Sequence, residues 1–272
     1  MNEPAARCPV CASVSRADQL LRIRGRQTAL HRCTQCGLYF FPEPDWLPAV
    51  HSDAVSELDI GLPRRCINLS RIVEAIVRAE GLGTRRHLDW GGGYGLLTRL
   101  LRDRGIDMRH HDPYAENLFA QGFEDELTGD FGCITASEVF EHVEDPVAVL
   151  GGMAAHTDLV IVSTVFVPDG LTDLRDWWYV GPSGQHITFY TPQAMRRLAA
   201  RFDYHLTTNG TNGTSLHVLH RRPLSRLTRL VIRDVRCSPF LARGLRLKQR
   251  SVSLRNADAV VAVARGPHWP ER

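Results

Sequence analysis

The sequence contains no apolar run approaching the roughly 18 residues that a membrane-spanning helix needs. Its first residues, MNEPAARCPVCAS, lack the basic-then-apolar pattern of a secretory signal. These two absences predict a cytoplasmic protein. Neither sign of charge dominates: the formal net charge is +3, too small to predict nucleic-acid binding by itself. There is no internal repeat and no low-complexity segment, and the composition is that of an ordinary globular chain. A glycine cluster occupies positions 91–95, but Leu96 stands where a dinucleotide fingerprint needs its third glycine. No lysine follows the cluster, which excludes a phosphate-binding P-loop. The seven cysteines are an odd number in a chain without an export signal, which argues against a disulfide framework.

Four of those cysteines are ordered by spacing. CPVC holds Cys8 and Cys11, and CTQCG holds Cys33 and Cys36. Two tight turns about twenty residues apart can present two pairs of thiolates to one tetrahedral ion, and Zn²⁺ prefers such a closed site. A redox dithiol would need only one such pair and a thioredoxin-like βαβ pattern around it. Four thiolates leave no open position for a catalytic water, so the predicted role is structural. His31 lies between the pairs, but the cysteines already fill the shell. Gly37 follows the second pair, where left-handed backbone is often required. Residues 19–33 read as a short hairpin around Gly25. Few basic and aromatic residues cluster here, so packing or partner docking fits the ribbon at least as well as nucleic-acid reading.

The predicted organisation has four parts. Residues 1–45 form a zinc ribbon, ended by the three prolines of YFFPEPDWLP. Residues 46–86 form a linker and a helix, 66–86, that packs on the core. From 87 to 222 strands alternate with helices: strands in 87–90, 106–112, 131–140 and 158–166, and helices in 95–105, 113–122, 145–156 and 191–202. Thr191 caps the last of these, with Pro192 at its first position. Two consecutive strands, 203–210 and 215–222, close the sheet as an antiparallel hairpin. The pattern predicts an α/β fold with a mostly parallel sheet. Residues 223–272 are basic and helical, broken at Pro239. Arg226, Arg229, Arg233, Arg236, Arg243, Arg246, Lys248 and Arg250 suit a diphosphate sugar donor or an anionic membrane surface. The plainer reading is a solvated helix face with Leu227, Leu230 and Val231 packed on the core.

In HLDWGGGYG, Asp89 ends a strand and Gly91, Gly93 and Gly95 follow it. Glycines let backbone approach a ligand closely. An acid followed by G-x-G-x-G resembles class I S-adenosylmethionine (SAM) methyltransferases, whose sheet is Rossmann-like. SAM carries an ammonium and no phosphate, so Asp89 suits its amino group. Asp112, at the end of the next strand, suits the ribose hydroxyls. TASEVFEHVEDP resembles the loop after strand four, beside the methionine part of SAM. It adds Ser137, Glu138 and His142 as candidate cofactor residues; Glu141 and His142 match an E-H pair seen there. His142 reads equally as a capping or packing residue.

DWWYVGPSGQHITFYTP, 176–192, follows strand five and is rich in glycine, proline and aromatics. Trp177, Trp178, Tyr179, Phe189 and Tyr190 predict flat apolar surface for a sugar or a base. His186 is the predicted general base and Tyr179 the second catalytic candidate, because a hydroxyl acceptor must lose its proton and histidine titrates near neutrality. His186 reads alternatively as a loop-ordering residue. The motifs together resemble bacterial SAM-dependent methyltransferases with an amino-terminal zinc-binding segment, often associated with surface-polysaccharide and modified-sugar biosynthesis. The resemblance covers residues 8–220. It implies SAM and structural zinc as cofactors, a glycan or small-molecule acceptor, and no nucleic acid. Related sugar C-methyltransferases carry a further carboxyl-terminal domain, and this chain's length favours O-methylation. Two alternatives stay open: methylation of nucleic acid or protein with the ribbon as reader, and a binding module without turnover.

Overall fold

A computed structural model of the chain describes residues 5–47, 61–181, 183–209 and 216–248. Part of the expected linker (48–60), Pro182 and the end of the basic segment with Arg250 lie outside the described residues, as do the side chains of Arg246 and Lys248. The chain divides into two compact units that do not follow chain order. One joins the amino-terminal segment to residues 136–221; the other joins residues up to 135 with those from 222 onward.

In the first unit, β1 (Ala6–Arg7), β2 (Val14–Ile23), β3 (Arg26–Arg32) and β4 (Tyr39–Phe40) form an antiparallel sheet in that order. The expected hairpin is present, with Ile23 paired to Arg26. Arg24 and Gly25 both take positive φ, 49° and 82°, which matches the right-handed twist of the flanking strands. A fifth strand, β9 (Thr188–Phe189), pairs with β4. The ribbon therefore shares its sheet with the 176–192 loop instead of standing alone as residues 1–45. Leu21, Ile23, Leu30, Tyr39 and Phe41 pack in one core with Trp177, Tyr179 and Phe189.

The same unit holds β8 (Leu159–Ser163), β10 (His205–Thr208) and β11 (Leu216–His220), with β11 antiparallel to both. The expected closing hairpin is thus formed. Every residue of β8 is buried, as its unbroken apolar run requires. Helix α3 (Pro146–Ala154) starts on Asp145, whose carboxylate accepts from two backbone N–H groups. Helix α4 (Pro192–Ala200) starts on Thr191, whose hydroxyl accepts from the Ala194 N–H.

In the second unit, β6 (Met108–His111), β5 (His87–Trp90) and the start of β7 (Ile134–Ser137) are parallel neighbours with β5 in the middle. The end of β7 belongs to the first unit, beside β8. Helix α1 (Leu62–Ala79) begins before the expected position 66, with a proline in its first turn. It packs against α2 (Leu96–Asp103), α5 (Arg226–Arg233) and α6 (Ser238–Lys248).

Three expectations need correction. Residues 113–122 form bends and turns rather than a helix. Asp112 accepts from the N–H groups of Tyr114 and Ala115, and Asn117 from that of Ala120; such local bonds compete with helical ones. The basic segment breaks at Asp234, not at Pro239, which sits in the first turn of α6, where its missing N–H costs nothing. Leu227 and Leu230 do not pack on the core but are 39% and 43% exposed, while Val231 is buried.

Candidate active site

The first cluster belongs to the second unit and grows from the end of β5. Asp89 is buried, and its two oxygens are each engaged by a threonine hydroxyl: Thr135 Oγ1 donates to Oδ1 at 2.6 Å and Thr98 Oγ1 to Oδ2 at 3.0 Å. Burial pushes this carboxyl up to about 6. Gly91, Gly93 and Gly95 all take positive φ, at 67°, 55° and 84°, which a side chain would strain. A Cβ on Gly95 would also stand 2.6 Å from Asn117 Oδ1. Asp112 fastens the loop from below: its Oδ2 accepts from the Gly93 N–H at 2.8 Å, and its Oδ1 holds the start of the 113–122 segment. Asp89, the three glycines and Asp112 are thus one constellation, as the motif predicts.

His110 lies on β6. It pairs with Asp89 across the sheet and is buried, and neither ring nitrogen has a partner. A Cβ on Gly92 would fall 2.6 Å from its Nδ1. The ring therefore dictates glycine at 92, a requirement that no motif announces.

The second cluster belongs to the first unit. Ser137 and Glu138 lie at the end of β7, with Ser163 between them: its Oγ lies 3.0 Å from Ser137 Oγ and donates to Glu138 Oε1 at 2.7 Å. Glu138 takes φ 52°. The next turn carries Glu141 and His142. Burial pushes the Glu141 carboxyl up to about 7. Tyr179 donates its hydroxyl hydrogen to Glu141 Oε1 at 2.6 Å. His142 and His186 make an edge-on contact, with ring centroids 4.8 Å apart. Each Nδ1 faces a backbone carbonyl, that of Gln185 at 2.9 Å for His142 and that of Tyr179 at 2.6 Å for His186. A carbonyl only accepts, so both rings carry hydrogen on Nδ1.

The aromatic loop does not build the predicted platform. Trp177, Tyr179, Phe189 and Tyr190 are buried core residues; only Trp178 is exposed, at 75%. Pairing of β9 with β4 turns the others inward. Tyr179 is buried, with its hydroxyl against Glu141 and Thr164 and its carbonyl against His186. Glu141 was passed over in favour of its neighbour His142, because no local pattern shows that a tyrosine 38 residues away will reach it.

The third cluster is the cysteine set. Cys8 Sγ lies 3.5 Å from Cys36 Sγ, Cys11 Sγ lies 3.4 Å from Cys33 Sγ, and all four sulfurs lie within 4.8 Å of one another with no disulfide formed. Four thiolates about 2.3 Å from one ion would have edges of roughly 3.8 Å, so the donor set fits zinc. The knuckles also anchor α4, since Gln193 donates to the Gln35 carbonyl and Thr191 to that of Cys36.

Residues 64–209, more than half of the chain, match the family model described as a methyltransferase domain. No curated protein matches by sequence. Three solved structures are similar in fold. Magnesium protoporphyrin IX methyltransferase from Synechocystis, with bound S-adenosylhomocysteine, is 18% identical, with a TM-score of 0.43 over 64% of this chain and 91% of that one. An O-methyltransferase family 2 protein from Planctomyces limnophilus, complexed with apigenin, is 14% identical, with a TM-score of 0.45 over 66% and 62%. CalO1, a methyltransferase of calicheamicin biosynthesis, is 13% identical, with a TM-score of 0.39 over 55% and 53%. The chain spans less than two thirds of the last two.

Proposed function

The chain belongs to the methyltransferase-domain family, and from that premise we propose that it methylates a carbohydrate hydroxyl from SAM, with His186 as general base. SAM supplies the electrophilic methyl group on a sulfonium when bound. Asp89 would take its ammonium, the backbone at Gly91, Gly93 and Gly95 its close approach, and Asp112 its ribose. Ser137, Glu138 and His142 are proposed as further cofactor residues. The observation that carries the reading is the Nδ1 contact of His186 with the Tyr179 carbonyl, which leaves Nε2 as the atom that accepts the hydroxyl proton. Zinc held by Cys8, Cys11, Cys33 and Cys36 would fix the knuckles on which α4 starts.

A groove of about 510 Å³ supports a nucleotide-linked sugar as acceptor. It is lined by Leu20, Arg22, Gly25, Gln27, Arg175 and Val180. Of its two guanidinium groups, that of Arg22 suits a diphosphate, while that of Arg175 is paired with Asp173. The exposed Arg22, Arg24 and Arg26 also favour a second reading, a polyanionic nucleic-acid acceptor. Methyl transfer from labelled SAM to a panel of nucleotide sugars and to RNA separates the two. Label in RNA alone would overturn the carbohydrate reading.

Peripheral association with anionic membranes is proposed for the basic segment. On α5, Arg226, Arg229 and Arg233 face solvent beside the exposed Leu227 and Leu230, the mixture that settles at a lipid interface. Co-sedimentation with phosphatidylserine vesicles and not with phosphatidylcholine vesicles is the expected result.

A further inference from the structure

The cluster around His186 has features that proton abstraction does not use. Glu141, His142 and His186 each offer one ligand atom, and these atoms lie within 4.8 Å of one another. Glu141 Oε2 is buried and has no hydrogen-bond partner. A buried carboxylate oxygen left bare is costly unless something completes it. Both imidazoles are oriented through Nδ1 by backbone carbonyls, the outer-shell arrangement that holds metal-ligating histidines. Tyr179 serves two members at once, its carbonyl accepting from His186 and its hydroxyl donating to Glu141.

We propose that Glu141, His142 and His186 bind one divalent transition-metal ion, at a site separate from the four cysteines. Two imidazoles and one carboxylate suit borderline cations such as Zn²⁺ or Co²⁺ better than Ca²⁺ or Mg²⁺, which take mostly oxygen. The ion would complete Glu141 Oε2 and occupy the imidazole lone pairs. If His186 is also the base, as proposed above, the two uses exclude each other, because one Nε2 cannot hold an ion and accept a proton. Occupancy then silences transfer. Ion binding itself does not depend on that reading.

The test titrates Co²⁺ into the full chain, followed by absorption and native mass spectrometry. Two equivalents are expected per chain. One shows the thiolate-to-cobalt charge-transfer band of the cysteine site; the other shows only weaker d–d bands. Glu141→Gln and, separately, His142→Asn are each expected to remove the second equivalent and keep the first. Tyr179→Phe is expected to weaken the second by about 10–100-fold with the first unchanged. His142 is only half-buried, so His142→Asn remains informative should Glu141→Gln fail to fold. A single equivalent in the unaltered chain, or a second that survives in His142→Asn, would overturn the site. A second ion that binds without slowing methyl transfer would instead leave the site standing and overturn the role of His186 as base.

Discussion

Asp89, inside β5, and Glu141, in the turn after β7, are both fully buried carboxyl groups, and burial pushes both upward, to about 6 and about 7. Their surroundings differ. Each oxygen of Asp89 accepts from a threonine hydroxyl, and the acid sits beside a loop of glycines in positive φ. Glu141 accepts from the Tyr179 hydroxyl, has the Thr164 hydroxyl and the Glu138 carboxyl against it as well, and its Oε2 lies beside two histidines without a hydrogen-bond partner. Hydrogen bonds to a carboxylate favour its charged form. Asp89 is therefore a carboxyl with both oxygens engaged, whereas one oxygen of Glu141 is without a hydrogen-bond partner. Equal burial does not imply equal function; the count of engaged oxygens separates the two.

That contrast can be broken at several points. The largest expected effect is at the base. His186→Ala should lower methyl transfer by about 10²–10⁴-fold while leaving S-adenosylhomocysteine affinity unchanged by calorimetry. Near-normal turnover removes His186 from the mechanism. Next is the aromatic loop that holds Tyr179. Trp177→Ala should cost about 3–5 kcal/mol in urea unfolding, because Trp177 is core, whereas the exposed Trp178→Ala should stay within about 0.5 kcal/mol. Equal effects would contradict the buried placement. Third is Asp89 itself. Asp89→Asn should weaken SAM binding by about 1.5–3 kcal/mol, the worth of a hydrogen bond to a charged group, with the fold retained; unchanged affinity sinks its assignment to the ammonium.

The smallest expected effect is on pH. The pKa of Asp89 lies above the ordinary aspartate value, so the carboxylate that holds an ammonium is present above about 6 and lost below it. SAM affinity should fall by at most tenfold per pH unit as pH drops through 6. Thr135→Val removes the donor to Oδ1 and should move that midpoint upward, since the carboxylate loses a favourable bond. A flat affinity profile from pH 5 to 8 would show that Asp89 does not carry the interaction.

Much of the first cluster was legible in the residues. Asp89, Gly91, Gly93, Gly95 and Asp112 are found together because a strand, a tight loop and the next strand form from near neighbours in sequence. Where local reading failed, a competitor acted. Asp112 and Asn117 took the N–H groups that the expected 113–122 helix needed. Pro239 was given the break that belongs to Asp234, since proline opens helices as readily as it ends them. The aromatics of 176–192 had the composition of a binding surface and the fate of a core, and composition alone cannot tell these apart.

By itself the sequence determined the glycine loop and its acids, the strand and helix alternation, the pairing of cysteines by spacing and the hairpin at Gly25. All of these depend on backbone freedom, periodicity or capping within a few residues. Only the tertiary structure decided that the amino-terminal sheet would take in Thr188 and Phe189, that Tyr179 would face Glu141, and that His142 and His186 would meet. Those contacts join residues 38 to about 150 positions apart, and what selects them is the burial of apolar surface over the whole unit, which no short window of sequence contains.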